Sequence, residues 1–365
     1  MKKTLLTLFI FIAYHITAQE LPLFEESSTI KKSSTGLIKF MDFTQKSEAY
    51  FSTRDIDQKG SGYKPFKRWE YHWSHYLQED GTIAPVEHLW KAWERKNKMA
   101  KSSTAVSNWT DNGPFDQSSK SGQGRINTVV VDPNIPTTIY VGAPTGGLWK
   151  SSDDGVNWTP LTDYLPQIGV SGIALVPNPD PTKESEIIYI STGDDDGGDS
   201  YSQGVFKSVN GGLNWSPTGS ILGSPTSSNE ILIDPSDSNR IWVATSTGLF
   251  LSTNAGLTWQ QKQSGFIRDF KLKPGDPNTI YAVSSSRFYR STNGGTSFSE
   301  LSNGLPNPDL IGRLRVEVTP AAPNNVYILS ALNNFGFEGV YTSSNSGSSF
   351  SKTAESDDIF GANQA

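Results

Sequence analysis

Ser151-Ser152-Asp153-Asp154-Gly155-Val156-Asn157-Trp158 is one copy of an eight-residue pattern, Ser-x-Asp/Asn-x-Gly-x-x-Trp/Phe, that occurs five times. The later copies carry Ser208, Asn210, Gly212, Trp215; Ser252, Asn254, Gly256, Trp259; Ser291, Asn293, Gly295, Phe298; and Ser343, Asn345, Gly347, Phe350. Their starts are 57, 44, 39 and 52 residues apart. Each copy follows a strand-like pair: Leu148-Trp149, Val205-Phe206, Leu249-Phe250, Phe288-Tyr289 and Val340-Tyr341. Three also follow an Asp-Pro turn and a β-branched or aromatic run, as Asp132-Pro133 precedes Ile139-Tyr140-Val141. A repeat of this length holding about four short strands is one propeller blade. The motif has a mechanical reading. Asp or Asn turns the chain by bonding backbone two residues on, and Gly supplies a positive φ. Ser bonds neighbouring backbone, and the final aromatic is expected to fold into the blade core. Asp153, Asn210, Asn254, Asn293 and Asn345 are thus read as turn-forming residues. The sequence predicts an all-β fold, a β-propeller of four-stranded blades with about five visible.

Composition agrees. Gly 33 and Pro 21 among 365 residues, with 11% aromatics, describe a turn-rich β chain rather than a disordered one. There is no cysteine, which excludes disulfides, zinc–thiolate sites and cysteine nucleophiles. The formal charge is −6, with no basic run, so the electrostatic footprint of a nucleic-acid binder is missing.

Three regions are expected. Lys2 and Lys3, the apolar stretch from Leu5 to Ala13, and Thr17-Ala18 before Gln19 describe a signal peptide over 1–18. No stretch is long and apolar enough to span a membrane, so the chain is expected to be secreted or held at the cell surface. Without that segment the charge is −8, from 29 basic against 37 acidic residues. The N-terminal region, 19–105, is polar and without sustained periodicity as far as about residue 60. Trp69, Trp73, Tyr76 and Leu77, then Leu89, Trp90 and Trp93, fall at helical spacing, predicting a helical hairpin over about 64–100 that breaks at Asp80-Gly81. The propeller is expected over 106–365. Five blades rarely close a ring, so the array is expected to be incomplete, its remaining blades belonging to a longer parent chain.

The repeated motif is the one known as the Asp-box, or BNR repeat. The chain resembles Asp-box β-propellers, the sortilin type and exported multi-blade proteins of Bacteroidetes in particular. Gly124 to Asn127 is similar to the bacterial family's Gly-Arg-Ile-Asn entry strand, and Gly146 to Ser151 to its Gly-Gly-Leu-Trp-Lys-Ser segment. Lys64 to Glu70 also resembles that family's pre-propeller region. Asp-box propellers include xyloglucan-hydrolysing glycosidases, whose first blade carries a catalytic Asp in Thr-Asp-x-Gly-Gly. Here Pro144 takes that place. Sialidases need an arginine triad with a Tyr/Glu pair; Arg125 follows a glycine at a strand start, and neither two further arginines nor the pair can be assigned. The resemblance therefore implies a shared fold without the glycosidase's catalytic residues.

Blade topology places the loops between second and third strands on one face, opposite the motif turns. The longest are Ser191–Gly204 and Ser330–Gly339. Long loops on a rigid scaffold commonly carry function. The first contains Asp194, Asp195, Asp196 and Asp199, four carboxylates in six residues, followed by Tyr201. Three readings stand open: a solvated acidic loop, a Ca²⁺ site on Asp194, Asp196 and Asp199, or an acid/base or sugar-contacting role. Position twelve from Asp194 is Val205, which rules out an EF-hand. Asp194, Asp196, Tyr201, Phe335 and Phe337 are the ligand-binding candidates.

The histidines are His15, His72, His75 and His88, all before the propeller, so a Ser–His–Asp triad or His-based metal site within it is excluded. Two-carboxylate glycoside hydrolysis needs neither Cys nor His. The favoured reading is a non-catalytic exported module recognising glycan or peptide, with no required cofactor. The alternative is a polysaccharide hydrolase using Asp195 and Asp199.

Overall fold

The computed structural model describes residues 39–57, 61–83, 87–98, 124–166, 168–334 and 336–354. The expected signal peptide and Phe335 lie outside them. The chain divides into two compact units, one ending at His88 and the other beginning at Leu89.

In the first unit, α1 (Phe40–Phe51) packs on α2 (Tyr63–Ser74). Phe43, Phe51 and Phe66 are buried between them, with Tyr50, Tyr63 and Trp69 at the margin. Phe51 stacks on Phe66 at 5.5 Å and Phe40 on Trp69 at 5.6 Å. The sequence predicts no helix at α1, because its buried face alternates aromatics with Thr44 and Ser47 and so lacks an apolar stripe. The helical segment is present, with α2 packed on α1 within the first unit. The expected second hairpin helix, α3 (Glu87–Lys98), places Trp90 and Trp93 in the other unit, where Trp90 meets Phe206 edge-on at 4.9 Å. The Trp93 indole there donates to the Tyr164 carbonyl at 3.0 Å.

The second unit holds five four-stranded antiparallel sheets. Blade one is β1 (Thr128–Val131), β2 (Ile139–Ala143), β3 (Gly147–Ser151) and β4 (Thr159–Pro160). Blade two is β5 (Val170–Val176), β6 (Ile187–Thr192), β7 (Val205–Ser208) and β8 (Ser216–Pro217). Blade three is β9 (Ser228–Asp234), β10 (Asp237–Thr245), β11 (Gly248–Ser252) and β12 (Gln260–Ser264). Blade four is β13 (Asp269–Lys273), β14 (Asp276–Val283), β15 (Phe288–Ser291) and β16 (Ser299–Glu300). Blade five is β17 (Ile311–Val318), β18 (Val326–Leu332), β19 (Phe337–Ser343) and β20 (Ser351–Ala354). Strand order follows chain order in every sheet, and first strands of successive blades are neighbours. This is a β-propeller arrangement, with first strands innermost.

All five motif turns share one hydrogen-bond pattern. The Ser hydroxyl donates to the Asp or Asn Oδ1 at 2.8–3.0 Å. It accepts from the motif Gly N–H at 2.8–2.9 Å. The same Oδ1 accepts a backbone N–H four residues on. The residue before Gly is also left-handed, even where it is Asp154, Ala255 or Ser346 at φ 57°. Its N–H is bonded to a carbonyl in the turn between first and second strands or, in blades three and four, in the first residues of the second strand, so both turns lie at one end of the blade. Asn293→Ala removes a shared acceptor and is expected to cost about 1–2 kcal/mol, read as a lowered urea midpoint with unchanged slope.

The core lies between blades rather than within them. One apolar cluster joins Tyr140 and Leu148 of blade one to Ile188, Phe206 and Trp215 of blade two. Three further clusters join blades two to three, three to four, and four to five. This corrects the expectation for the motif aromatic: Trp215, Trp259, Phe298 and Phe350 pack against the preceding blade, because the turn ends at that interface. Trp158, with no described blade before its own, remains 38% exposed.

Candidate functional site

The blade-two loop after β6 folds around one carboxylate. Asp194, fully buried, accepts the backbone N–H groups of Gly197 and Asp199 on Oδ2, each at 3.0 Å. Arg125 pairs with the same oxygen, while Asn127 Nδ2 donates to Oδ1 at 3.1 Å. Ser200 Oγ ties the loop to the Pro144 carbonyl at 2.6 Å. Local Asx-type bonding of this kind suits an Asp-Gly-rich sequence.

The folded loop turns Asp195 and Asp196 toward arginines of the fourth and fifth blades. Asp195 accepts from Arg268 Nη1 at 2.8 Å, and Arg313 Nη2 lies 4.0 Å from its second oxygen. Asp196 pairs with Arg313, with Arg315 at 3.8 Å. Asp199 is half-exposed and meets Arg125 at 3.2 Å. The four carboxylates are therefore distributed among four guanidiniums. Among the described residues, no group of three His, Cys, Asp or Glu side chains is placed to hold a metal ion.

Burial separates neighbouring acids. It pushes the Asp195 carboxyl above its ordinary range, against the pull of Arg268, Arg313 and Arg315. Burial acts the same way on Asp196, but Arg313, by charge and hydrogen bond, then Arg315 and Arg125, outweigh it and hold that carboxyl low. Glu230 on β9 is also raised by removal from water, although Lys271 on β13 stands 3.4 Å away. Lys271 keeps its proton more tightly than usual: Glu230, Asp269 and Glu317 outweigh the burial that opposes them. Asp269 in turn accepts the Val316 N–H at 3.0 Å, linking blades four and five.

These groups border a cavity of about 240 Å³. Asp194, Asp195 and Asp196 line it from the loop, and Asn127, Asn229, Glu230 and Arg315 from the inner-strand side. The loop acids stand out in the sequence, whereas Arg268, Arg313, Arg315, Asn229 and Glu230 do not. Their signal is positional: Asn229 and Glu230 lie on β9, Arg313 and Arg315 on β17, and Arg268 directly precedes β13, all first strands of their blades.

Tyr201 lies half-buried in the same loop. The expected fifth loop is shorter than Ser330–Gly339, because β18 runs to Leu332 and β19 begins at Phe337, pairing with Ala331. Phe337 is thus a half-buried strand residue rather than a loop tip.

No family model matches the chain, and no curated protein sequence matches it. Among solved structures it is similar to an ancestral GH74 enzyme at 21% identity and TM-score 0.51, over 63% of this chain and 31% of that one. A GH74 enzyme of Niastella koreensis matches at 20% identity and TM-score 0.48, over 63% and 37%. YCF48 bound to D1 peptide matches at 14% identity and TM-score 0.41, over 62% and 71%. The aligned region spans about a third of the two GH74 structures. The likeness to the ancestral enzyme supports the propeller fold. No helix among the described residues is long and apolar enough to cross a membrane.

Proposed function

We propose that this chain is an exported, non-catalytic propeller of the Asp-box type that binds a peptide or glycan at the blade-two loop. The observation that carries the reading is the pairing of Asp194, Asp195, Asp196 and Asp199 with Arg125, Arg268 and Arg313. An inverting or retaining glycosidase needs two carboxyls facing a substrate groove, whereas these acids are spent on holding the loop in place. The expectation of export rests on the sequence of residues 1–18. Ca²⁺ is not required in this reading, since it would have to displace Arg125 from Asp194 and Arg313 from Asp196. Neither added Ca²⁺ nor a chelator is expected to move the melting temperature, and a Ca²⁺-dependent rise would restore a metal site at the loop.

One observation favours the hydrolase as a second reading. Asp195 and Glu230 line one cavity, and burial raises both, as a general acid requires. A reducing-end release assay on β-glucans, xyloglucan and sialosides separates the two. The expected result is no turnover, with retention on peptide or glycan arrays. Turnover abolished by Asp195→Ala or Glu230→Gln would replace the binding reading with hydrolysis.

A further inference from the structure

We infer that the central cavity takes a primary ammonium group, presented by a lysine side chain or the free amino terminus of a peptide. The inference rests on the binding reading and narrows its ligand. Three side chains lining the cavity end in an oxygen without a hydrogen-bond partner: Asn127 Oδ1, Asn229 Oδ1 and Asp195 Oδ2. Asn229 is 5% exposed and the Asp195 side chain 6%, so bulk water does not satisfy them. Both amides are fixed in orientation. Asn127 Nδ2 donates to Asp194 Oδ1 at 3.1 Å, and Asn229 Nδ2 to the Ile267 carbonyl at 2.7 Å. A flip would set oxygen against oxygen, so the atoms left over are acceptors.

A complementary ligand brings donors and no acceptor. An ammonium has three N–H donors and none of the latter. The lining is mainly acidic, Asp194, Asp195, Asp196 and Glu230 beside one guanidinium, Arg315, and the cations paired with those acids, Arg125, Arg268, Arg313 and Lys271, stand outside it. That guanidinium is itself directed to the Arg268 carbonyl at 3.1 Å and to Asp196. A divalent ion fits less well, because no three acidic or imidazole groups converge among the described residues. A sugar ring also fits less well: the residues lining the cavity include no aromatic to stack on it, and each hydroxyl would add acceptors. The volume corresponds to roughly eight waters, enough for an ammonium head with the methylenes behind it.

The test uses the full chain with three probes: methylammonium, tetramethylammonium, which has no N–H donor, and an array of hexapeptides printed with free amines and as acetylated duplicates. Methylammonium is expected to raise the melting temperature where tetramethylammonium at equal concentration does not. Peptide binding is expected to fall about tenfold or more on acetylation, as loss of charge-assisted bonds implies. Duplicates blocked only at the amino terminus or only at lysine tell the two sources apart. Asn229→Leu is expected to weaken free-amine binding by a similar factor, with Asn127→Leu as the second variant should the first not fold. Equal binding of free and acetylated peptides, or retention of glycans alone, would overturn the ammonium site and leave the binding module standing. If no probe binds or stabilises, the cavity holds water only and the inference fails. Release of reducing ends would remove the binding reading itself.

Discussion

Gly295→Ala is expected to lower stability by about 2–5 kcal/mol, from a left-handed backbone and an overpacked contact. Gly295 has φ +77°, and an added Cβ would stand 2.3 Å from Cη2 of Trp242. Trp242 is fully buried on the second strand of blade three, so the clash falls between blades rather than within a turn. Neither partner can retreat, because the ring sits among Leu249, Leu251 and Ile280. The melting temperature should drop by about 5–15 °C. Gly155→Ala is the internal control. It shares the motif position and φ +85°, but its nearest contact is 3.5 Å, to Trp158 of the same motif. Only the conformational cost of about 1–2 kcal/mol applies there. In a double-mutant cycle, Trp242→Phe should offset part of the Gly295 loss. That change also removes a buried indole N–H that has no partner. Equal losses at positions 155 and 295 would show that the motif glycine acts through its φ alone.

The contrast between those two glycines shows which part of the fold is legible in sequence. The motif turn is encoded within eight residues, and its Ser–Asx–Gly bonding follows from residue type. The packing of that turn against the preceding blade follows from ring geometry, so the roles of Gly295 and Trp215 emerge only once blades are adjacent. Helix α1 escapes a periodicity search because Thr44 and Ser47 share its buried face with Phe40, Phe43 and Phe51. The candidate site divides in the same manner. Asp194 to Asp199 stand out as a local composition, and Asp194 organises its own loop through neighbouring backbone N–H groups. Its cationic partners are distant in the chain: Arg125 is 69 residues from Asp194, Arg268 73 from Asp195, and Arg313 117 from Asp196. Each is one charged residue at the head of an ordinary β pattern, and only the closing-in of first strands around a common axis gives it a partner. The acidic loop is also the counter-charge of an arginine cluster, a pairing that local composition does not reveal.

Arg268→Met isolates that cluster, and it should cost about 3–5 kcal/mol at neutral pH, the penalty for leaving a buried charge without its partner. Asp195 keeps 6% side-chain exposure, and after the substitution its nearest cation is Arg313 at 4.0 Å. Methionine retains the apolar stem of the side chain and gives up the charge, including its cation–π contact over the Phe266 ring, so the loss reports charge more than volume. The pH dependence has a determined sign. Burial already raises the Asp195 carboxyl, and Arg268 is the largest charge opposing that rise. Without Arg268 the folded state holds a proton that the unfolded carboxyl, with a pKa of about 3.9, has released. Folded protein then binds more protons than unfolded, so stability falls as pH rises above that value. Urea denaturation should therefore show a smaller deficit at about pH 5 than at about pH 7.5. The double variant Asp195→Asn/Arg268→Met should recover most of the loss and lose the pH dependence, since no buried charge remains to be paired. A deficit that is flat in pH, or undiminished in the double variant, would mean that Arg268 stabilises the propeller by packing and that the ion pair across the ring does not hold the loop.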